Sequence, residues 1–271
     1  MRLKKLLALA TASALAVTML AACSSGSNTS AGTTSDSNAG TSTSTPAPSG
    51  DKVTLQLGFE NSLSEPVGQA AEKWAELVAE KSNGTMELVL YPDSQLGDKS
   101  ELIDSMLLGE PVCTLADGAF YADYGVPDFG IVFGPFLFDN WEQCWTLIES
   151  DWYKEQCAQL EDKGLKLLAS NWAYGARHTL TVNPVNTVDD LAGMKIRVPN
   201  NKIQSLGFDV LGAASTGMAL GDVYQALQTK TIDGAENPLS TLYGRKLHEV
   251  AKYLILDGHV KNFTTWVVSA D

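Results

Sequence analysis

The residue with the clearest chemical use is Arg197, in the stretch Gly193-Met-Lys-Ile-Arg-Val-Pro199. Ile196 and Val198 alternate with Lys195 and Arg197, the two-residue period of a β-strand. Pro199 has no N–H to offer a ladder and closes the strand. A short helical signal over 187–190 precedes it, and an apolar helix over 203–211 follows. A strand between helices belongs in an α/β sheet, where ligands bind beyond the carboxyl ends of the strands. Arg197 stands at that end. Its guanidinium is always charged, and its planar fork matches a carboxylate. Burying it unpaired costs several kcal/mol, so either an internal Asp or Glu or a ligand's carboxylate must answer it. Spacing leaves both answers open.

Other chemistries are started and not completed. His248-Glu249 opens like a zinc-protease helix, but Lys252 stands where the second histidine is needed. Gly212-Ala-Ala-Ser-Thr-Gly217 has the spacing of a phosphate loop, with Met218 in place of its lysine. Ser215 is not a nucleophile elbow, because Ala213 replaces the first glycine. There is no G-x-G-x-x-G. His178, His248 and His259 are scattered and read as surface or capping residues. No catalytic residue, metal ligand or cofactor is therefore assigned, and the chain is not expected to be an enzyme.

The elements that must position Arg197 follow from periodicity. Strands are expected over 53–59, 86–90 and 111–116. Helices alternate with them, one carrying Val67, Ala70, Ala71, Trp74, Leu77 and Val78 up to Gly84, and one carrying Leu102, Ile103, Met106 and Leu107. This β-α-β-α-β order implies parallel strands and a doubly wound lobe. Trp141, Trp145, Ile148 and Trp152 form one helical stripe that reads as core, in a helix ended by Gly164, with a strand over 165–169 after it. A second lobe is expected from about residue 172. It contains Tyr174 to Asn183, the Arg197 strand, a helix over 221–230, the stretch Asp233-Gly-Ala-Glu-Asn-Pro238 and a helix through Leu239, Leu242, Leu247 and Val250, and a last strand is expected over 260–269. Asn237 before Pro238 also reads as a helix cap with proline in the first turn.

The first fifty residues lie apart from this pattern. Arg2, Lys4 and Lys5 precede a run of mostly small and apolar residues from 6 to 22, short for a bilayer span, which needs about 20 residues. The flanks are those of a secretory signal, and Leu20-Ala-Ala-Cys23 looks like a lipoprotein cleavage box, with lipid expected on Cys23. Residues 24–50 are Ser, Thr, Gly, Ala, Asn and Pro with one charge, Asp36. Such a segment cannot bury a core and acts as a flexible tether with a mean reach of roughly 30 Å. Of 19 Lys and Arg, three leave with the signal, so 16 face 32 Asp and Glu and the mature net charge is −16. That excess argues against nucleic acid and against adsorption to anionic lipid. Cys113, Cys144 and Cys157 match no zinc spacing and read as buried thiols, one disulfide being possible.

Several motifs occur in series: Tyr91-Pro-Asp-Ser-Gln-Leu-Gly97, Gly175-Ala-Arg177, Met194-Lys-Ile-Arg-Val-Pro199, Val223-Tyr-Gln-Ala-Leu-Gln228, Asp233-Gly-Ala-Glu-Asn-Pro238 and His248-Glu-Val-Ala-Lys-Tyr253. Together with the lipoprotein start they resemble the DctP-like solute-binding proteins of TRAP (tripartite ATP-independent periplasmic) transporters, in order from about Lys52 to Ser269. The resemblance implies an α/β, two-lobed periplasmic-binding-protein-like fold, each lobe a mostly parallel sheet flanked by helices, with the ligand in the interlobe cleft. The expected layout is signal 1–22, lipidated cysteine and tether 23–50, lobe one 51–171, lobe two 172–258 and a crossover strand 259–271. It implies that Arg197 clamps a carboxylate, that Arg177 and Asn237 bind beside it, and that Asp117 takes part after the third strand. Glu60 and Asn61, just past the first strand, complete the expected ligand-binding set.

The partners implied are a small organic acid, the integral membrane subunits of a TRAP transporter, and a membrane reached through the lipid anchor. Two departures touch the pocket wall: Ala235 where the family has Gln, and Thr216-Gly217-Met218 without a proline before the methionine. Family members continue past the strand that ends near Ser269 with helices that complete both lobes, so a truncated chain is expected. The residues alone leave room for a binding protein of an ATP-driven importer, or one that presents its closed form to a receptor kinase.

Overall fold

A computed structural model describes residues 52–271. The expected signal, Cys23 and tether lie outside the described residues.

The first lobe is built as the alternation predicts. Strand β1 (Val53–Gly58), helix α1 (Pro66–Lys81), β2 (Met86–Tyr91), α2 (Lys99–Leu107) and β3 (Val112–Ala116) follow in order. β1 lies between β2 and β3, parallel to both. Asp98 starts α2 with a capping box: its carboxylate accepts from Glu101 N, and Glu101 returns the bond to Asp98 N. α3 (Gly118–Asp123) follows β3 directly, with Asp117 Oδ1 accepting from Ala119 N at 3.1 Å. The tryptophan stripe is split between two helices where one was expected, α4 (Trp141–Ile148) and α5 (Asp151–Glu161). Ser150 caps the second, accepting from Tyr153 N, so the stripe continues across a break. Trp141, Trp145 and Trp152 pack half-buried against the lobe's core.

Two strands of 17 residues hold the molecule together, β4 (Leu165–Thr181) and β8 (Tyr253–Ser269). They run antiparallel from Leu165 opposite Ser269 to Thr181 opposite Tyr253. The two strands expected at 165–169 and from 174 are thus one, and the last strand starts at Tyr253, seven residues before the expected 260. Four register shifts interrupt the pair. Bulges bend and twist a strand locally, which lets one ribbon serve two lobes. At one shift Gly175 takes φ +136°, and a Cβ there would stand 2.8 Å from Pro238 Cβ, so only glycine fits.

Between these strands lie β5 (Lys195–Val198), α6 (Lys202–Asp209), β6 (Ala214–Gly217), α7 (Val223–Gln228), β7 (Gly234–Pro238) and α8 (Leu239–Gly244). The single sheet has the order β2-β1-β3-β8-β4-β7-β5-β6. Each lobe contributes three parallel strands, and β8 and β4 join them antiparallel. Asn237 is a strand residue opposite His178, and Pro238 precedes α8 with no side-chain cap, so the capping role expected of Asn237 is not found. The ladder claims its backbone instead. The helix expected through Val250 stops at Gly244, because Lys246 turns left-handed (φ 56°) before a 3₁₀ turn, Leu247–Glu249.

Apolar side chains cover both faces of the first lobe's sheet. Ile103, Met106, Phe129 and Leu160 lie in one cluster, and Leu57, Phe59, Cys113 and Trp266 in the other. The second lobe buries Val223, Leu227, Ile232 and Leu247 in one cluster and Ile196, Val198 and Phe208 in another. The three cysteines are free, Cys113 and Cys144 buried and Cys157 half-buried.

Candidate ligand-binding site

The carboxyl ends of the strands from both lobes meet at one small, largely enclosed cavity. Glu60 and Asn61 reach it from the loop after β1, Asp117 from the end of β3, Arg197 from β5, Asn237 from β7 and Arg177 from β4. All six residues expected in the site therefore line one space. They come from five strands and are separated by up to 177 positions in the chain.

They do not stand in equal states. Arg177 carries the internal ion pair that was left open for Arg197. Its Nε meets Glu236 Oε2 at 2.5 Å and its Nη2 meets Oε1 at 2.7 Å, while Nη1 donates to Asn262 Oδ1 at 3.0 Å. Burial works against both charges, but the pair wins. Arg177 is held further up, and Glu236 is pushed down to about 2. Behind it, His259 Nε2 lies 3.3 Å from Glu236, and its Nδ1 lies 3.2 Å from Asp257. Burial alone would lower this imidazole, yet Asp257 and Glu236 raise it to about 9. His178 also approaches Asp257, at 3.6 Å. Two histidines expected as surface or capping residues are thus gathered by the fold around the buried Glu236 and the half-buried Asp257. His248 is exposed, stacked on Tyr243.

Arg197 is 1% exposed and has no carboxylate in ion-pair contact among the described residues. Its Nε and Nη2 both donate to the carbonyl of Met218, at 2.8 and 2.5 Å. Burial depresses it, with Glu60 and Glu236 opposing at longer range. The carbonyl holds one edge of the guanidinium and leaves its charge unanswered.

Glu60 pairs with Lys99, and its Oε1 accepts from Leu220 N at 3.3 Å. Burial would raise its carboxyl, but Lys99 and Arg197 hold it below the ordinary range. Asn61 donates to Glu65 (2.6 Å), Tyr174 (3.0 Å) and Thr241 (3.2 Å), which ties the first lobe to α8. The side-chain amide of Asn237 has no partner among the described residues, although the residue is 3% exposed. Asp117 keeps only the Ala119 N–H and a neighbouring Asn262, and burial pushes its carboxyl up against the pull of Lys99 and Arg177.

Lys99, Tyr174, Gln204 and Asn262 also line the cavity and carried no signal in the sequence. Lys99 is the first residue of a capped helix, and Asn262 lies in a long strand. Only the crossing of elements makes either one a wall residue. Glu236 did stand in a motif, beside the Asn237 chosen from it.

The cleft is shut at its rim. Asn200 Nδ2 donates to Asp98 Oδ2 at 3.3 Å, and Lys202 N donates to Asp123 Oδ2 at 3.1 Å. Lys202 Nζ lies 3.3 Å from Asp123 Oδ1.

The chain as a whole has relatives of known family and structure. Residues 57–271 match the family model DctP, bacterial extracellular solute-binding protein, family 7. The chain belongs to that family. It is a family of binding proteins, not enzymes. Among curated DctP-family relatives, the sialic acid-binding periplasmic protein SiaP of Vibrio cholerae is 32% identical over 80% of this chain and 67% of its own length. The C4-dicarboxylate-binding periplasmic protein DctP of Rhodobacter capsulatus is 32% identical over 72% of this chain and 58% of its own length. The chain therefore spans about 58–67% of the length of these relatives.

Among solved structures, a TRAP periplasmic solute binding protein from Ochrobacterium anthropi with bound L-fuconate is 40% identical. It superposes with a TM-score of 0.79 over 81% of this chain and 72% of that one. One from Actinobacillus succinogenes with bound L-galactonate is 36% identical, with a TM-score of 0.78 over 80% and 72%. These neighbours share the two-lobed α/β architecture.

Proposed function

We propose that this DctP-family chain captures a carboxylate-bearing small molecule in its interlobe cavity and delivers it to the integral membrane subunits of a TRAP-type transporter. On this reading it works outside the cytoplasm, tied to the membrane by lipid on Cys23 through the 24–50 tether. Arg197 clamps the carboxylate. Asn237 and Asp117, whose polar groups are the least engaged, take the ligand's other polar groups. Glu60, Asn61 and Arg177, already bonded within the protein, form the rest of the charged wall.

The observation that carries the reading is the state of Arg197, a fully buried guanidinium held by one carbonyl and matched by no acid in contact among the described residues. Removing such a charge from water costs several kcal/mol, and a carboxylate ligand repays it. The ligands named for the solved relatives, L-fuconate and L-galactonate, set the first compounds to try. A thermal-shift panel of sugar acids, mono- and dicarboxylates and keto acids tests the reading. A ligand at 100 times its Kd stabilises the fold by about 2.7 kcal/mol, and a shift by one of these classes and not by neutral sugars is expected. A panel in which no carboxylate raises the melting temperature refutes it.

A further inference from the structure

Resting on the carboxylate reading of the cavity, we propose that the site binds its ligand together with one proton, and that Asp117 receives it. Charges of both signs line the enclosed space. Arg197, Lys99 and Arg177 line it as cations, while Glu60 and Asp117 line it as anions. Glu236 stands directly behind Arg177, and His259 with Asp257 forms a further pair behind that. With every acid ionised, cations and anions are equal in number. A ligand carboxylate on Arg197 then leaves one negative charge in excess in a cavity shut off from water. A buried charge without a partner is neutralised in preference to being kept.

The fold selects which acid gives way. Glu60 holds Lys99 and the Leu220 N–H. Glu236 holds Arg177 through both oxygens, together with Gln204 and His259. Asp257 lies between His178 and His259, accepts from Thr179 at 2.7 Å, and is partly open to solvent. Asp117 is buried, and no cation lies in ion-pair contact with it among the described residues.

The groups that face Asp117 are Lys99 of α2, Arg177 of β4, Tyr121 of its own helix α3 and Asn262 of β8. Both of those cations are already committed to other carboxylates. Burial has raised this carboxyl before any ligand arrives, and a second carboxylate sharing the site raises one of the two further. In an opened cleft Asp117 returns to water and ionises above pH about 4. Closure over the ligand therefore draws a proton from solvent. The neutral carboxyl that results becomes a hydroxyl donor as well as an acceptor. His259 is protonated below pH about 9 in its acidic pocket, so it takes up nothing near pH 6.

The test is isothermal titration of the full chain between pH 5 and 8, in buffers of different ionisation heat. The probe is the tightest binder among L-fuconate, L-galactonate and succinate. The wild-type protein should take up as much as one proton within this range, and its Kd should tighten by up to tenfold per pH unit as pH falls through the window where uptake occurs. Asp117→Asn keeps the shape and the bond to Ala119, so it should bind with no uptake and little pH dependence. Binding by the wild type without uptake at any pH in this range overturns the proposal and leaves the carboxylate reading standing, whether or not the variant folds. Uptake that persists undiminished in Asp117→Asn also overturns it. Failure of all three acids to bind removes the carboxylate reading and the proposal together.

Discussion

Two buried arginines line one cavity, and the structure predicts opposite consequences for losing them. Among the described residues Arg197 answers no internal acid in contact and donates only to the Met218 carbonyl. In Arg197→Ala the free protein loses bonds worth about 1–3 kcal/mol and sheds a desolvated charge, two effects of opposite sign, so its melting temperature should move little. The ligand loses a charge-assisted pair, for which removal of one buried partner costs about 2–5 kcal/mol, or roughly 30-fold to several thousand-fold in Kd. Arg197→Lys should recover only part, because an ammonium cannot make the planar fork. Arg177 is the contrasting case. Its loss leaves Glu236, 1% exposed, as a buried carboxylate deprived of its bidentate partner. Breaking a buried pair in this way costs about 3–5 kcal/mol, which for a fold of this size lowers the melting temperature by on the order of 10 °C. Ligand-free scanning calorimetry and titration on both variants decide the matter. If Arg197→Ala melts as early as Arg177→Ala while binding normally, the clamp assignment is wrong.

Three further outcomes are expected. His259 is raised from 6.5 to about 9, so the stability it contributes is complete below pH 6.5 and disappears as pH rises through 9. Urea unfolding of the wild type should therefore weaken over that window, and His259→Gln should flatten it; an equal slope in the variant counts against the assignment. At the rim, Asp123→Ala removes the contacts to Lys202 N and Nζ. That should open the cleft, with about 5-fold to 30-fold weaker ligand binding and a larger radius of gyration in X-ray scattering; an unchanged radius and Kd would show that the rim contacts hold nothing. Cys23→Ala should release the protein from membranes or leave its precursor uncleaved, as read by fractionation and immunoblot, and normal cleavage with full membrane retention would exclude lipidation there.

Much of this was legible in the chain because the signals were local. Period-two alternation with a closing Pro199 marked β5 and placed Arg197 at its carboxyl end, and helices between strands implied the parallel order found for β2-β1-β3. Three motifs in the series carry Arg177, Arg197 and Asn237, which share one cavity with Asp117, Glu60 and Asn61, the residues expected after the third and first strands. The errors arose where a local rule met a longer-range claim. Asn237 before Pro238 has the form of a helix cap, but the ladder with β4 takes its backbone and turns its amide into the cavity. The tryptophan period ran on across Ser150 because a stripe facing one core does not require one continuous helix.

Sequence alone determined which residues are strongly polar yet set in apolar surroundings, and hence which needed a partner. Burial of a charge is costly wherever it occurs; the strand period placed Arg197 at the carboxyl end of β5, and the structure shows that it is buried there. Which arginine receives a protein carboxylate and which keeps its charge unmatched was decided only in three dimensions. Arg177 and Glu236 are 59 positions apart and meet because β4 and β7 pair antiparallel, with Arg177 opposite Pro238. Lys99 reaches Glu60 across 39 positions, and His259 enters the same acidic cluster from the far strand β8. Electrostatic pairing acts through distance in space, and no periodicity within a single element encodes the crossing of two long strands that brings these groups together.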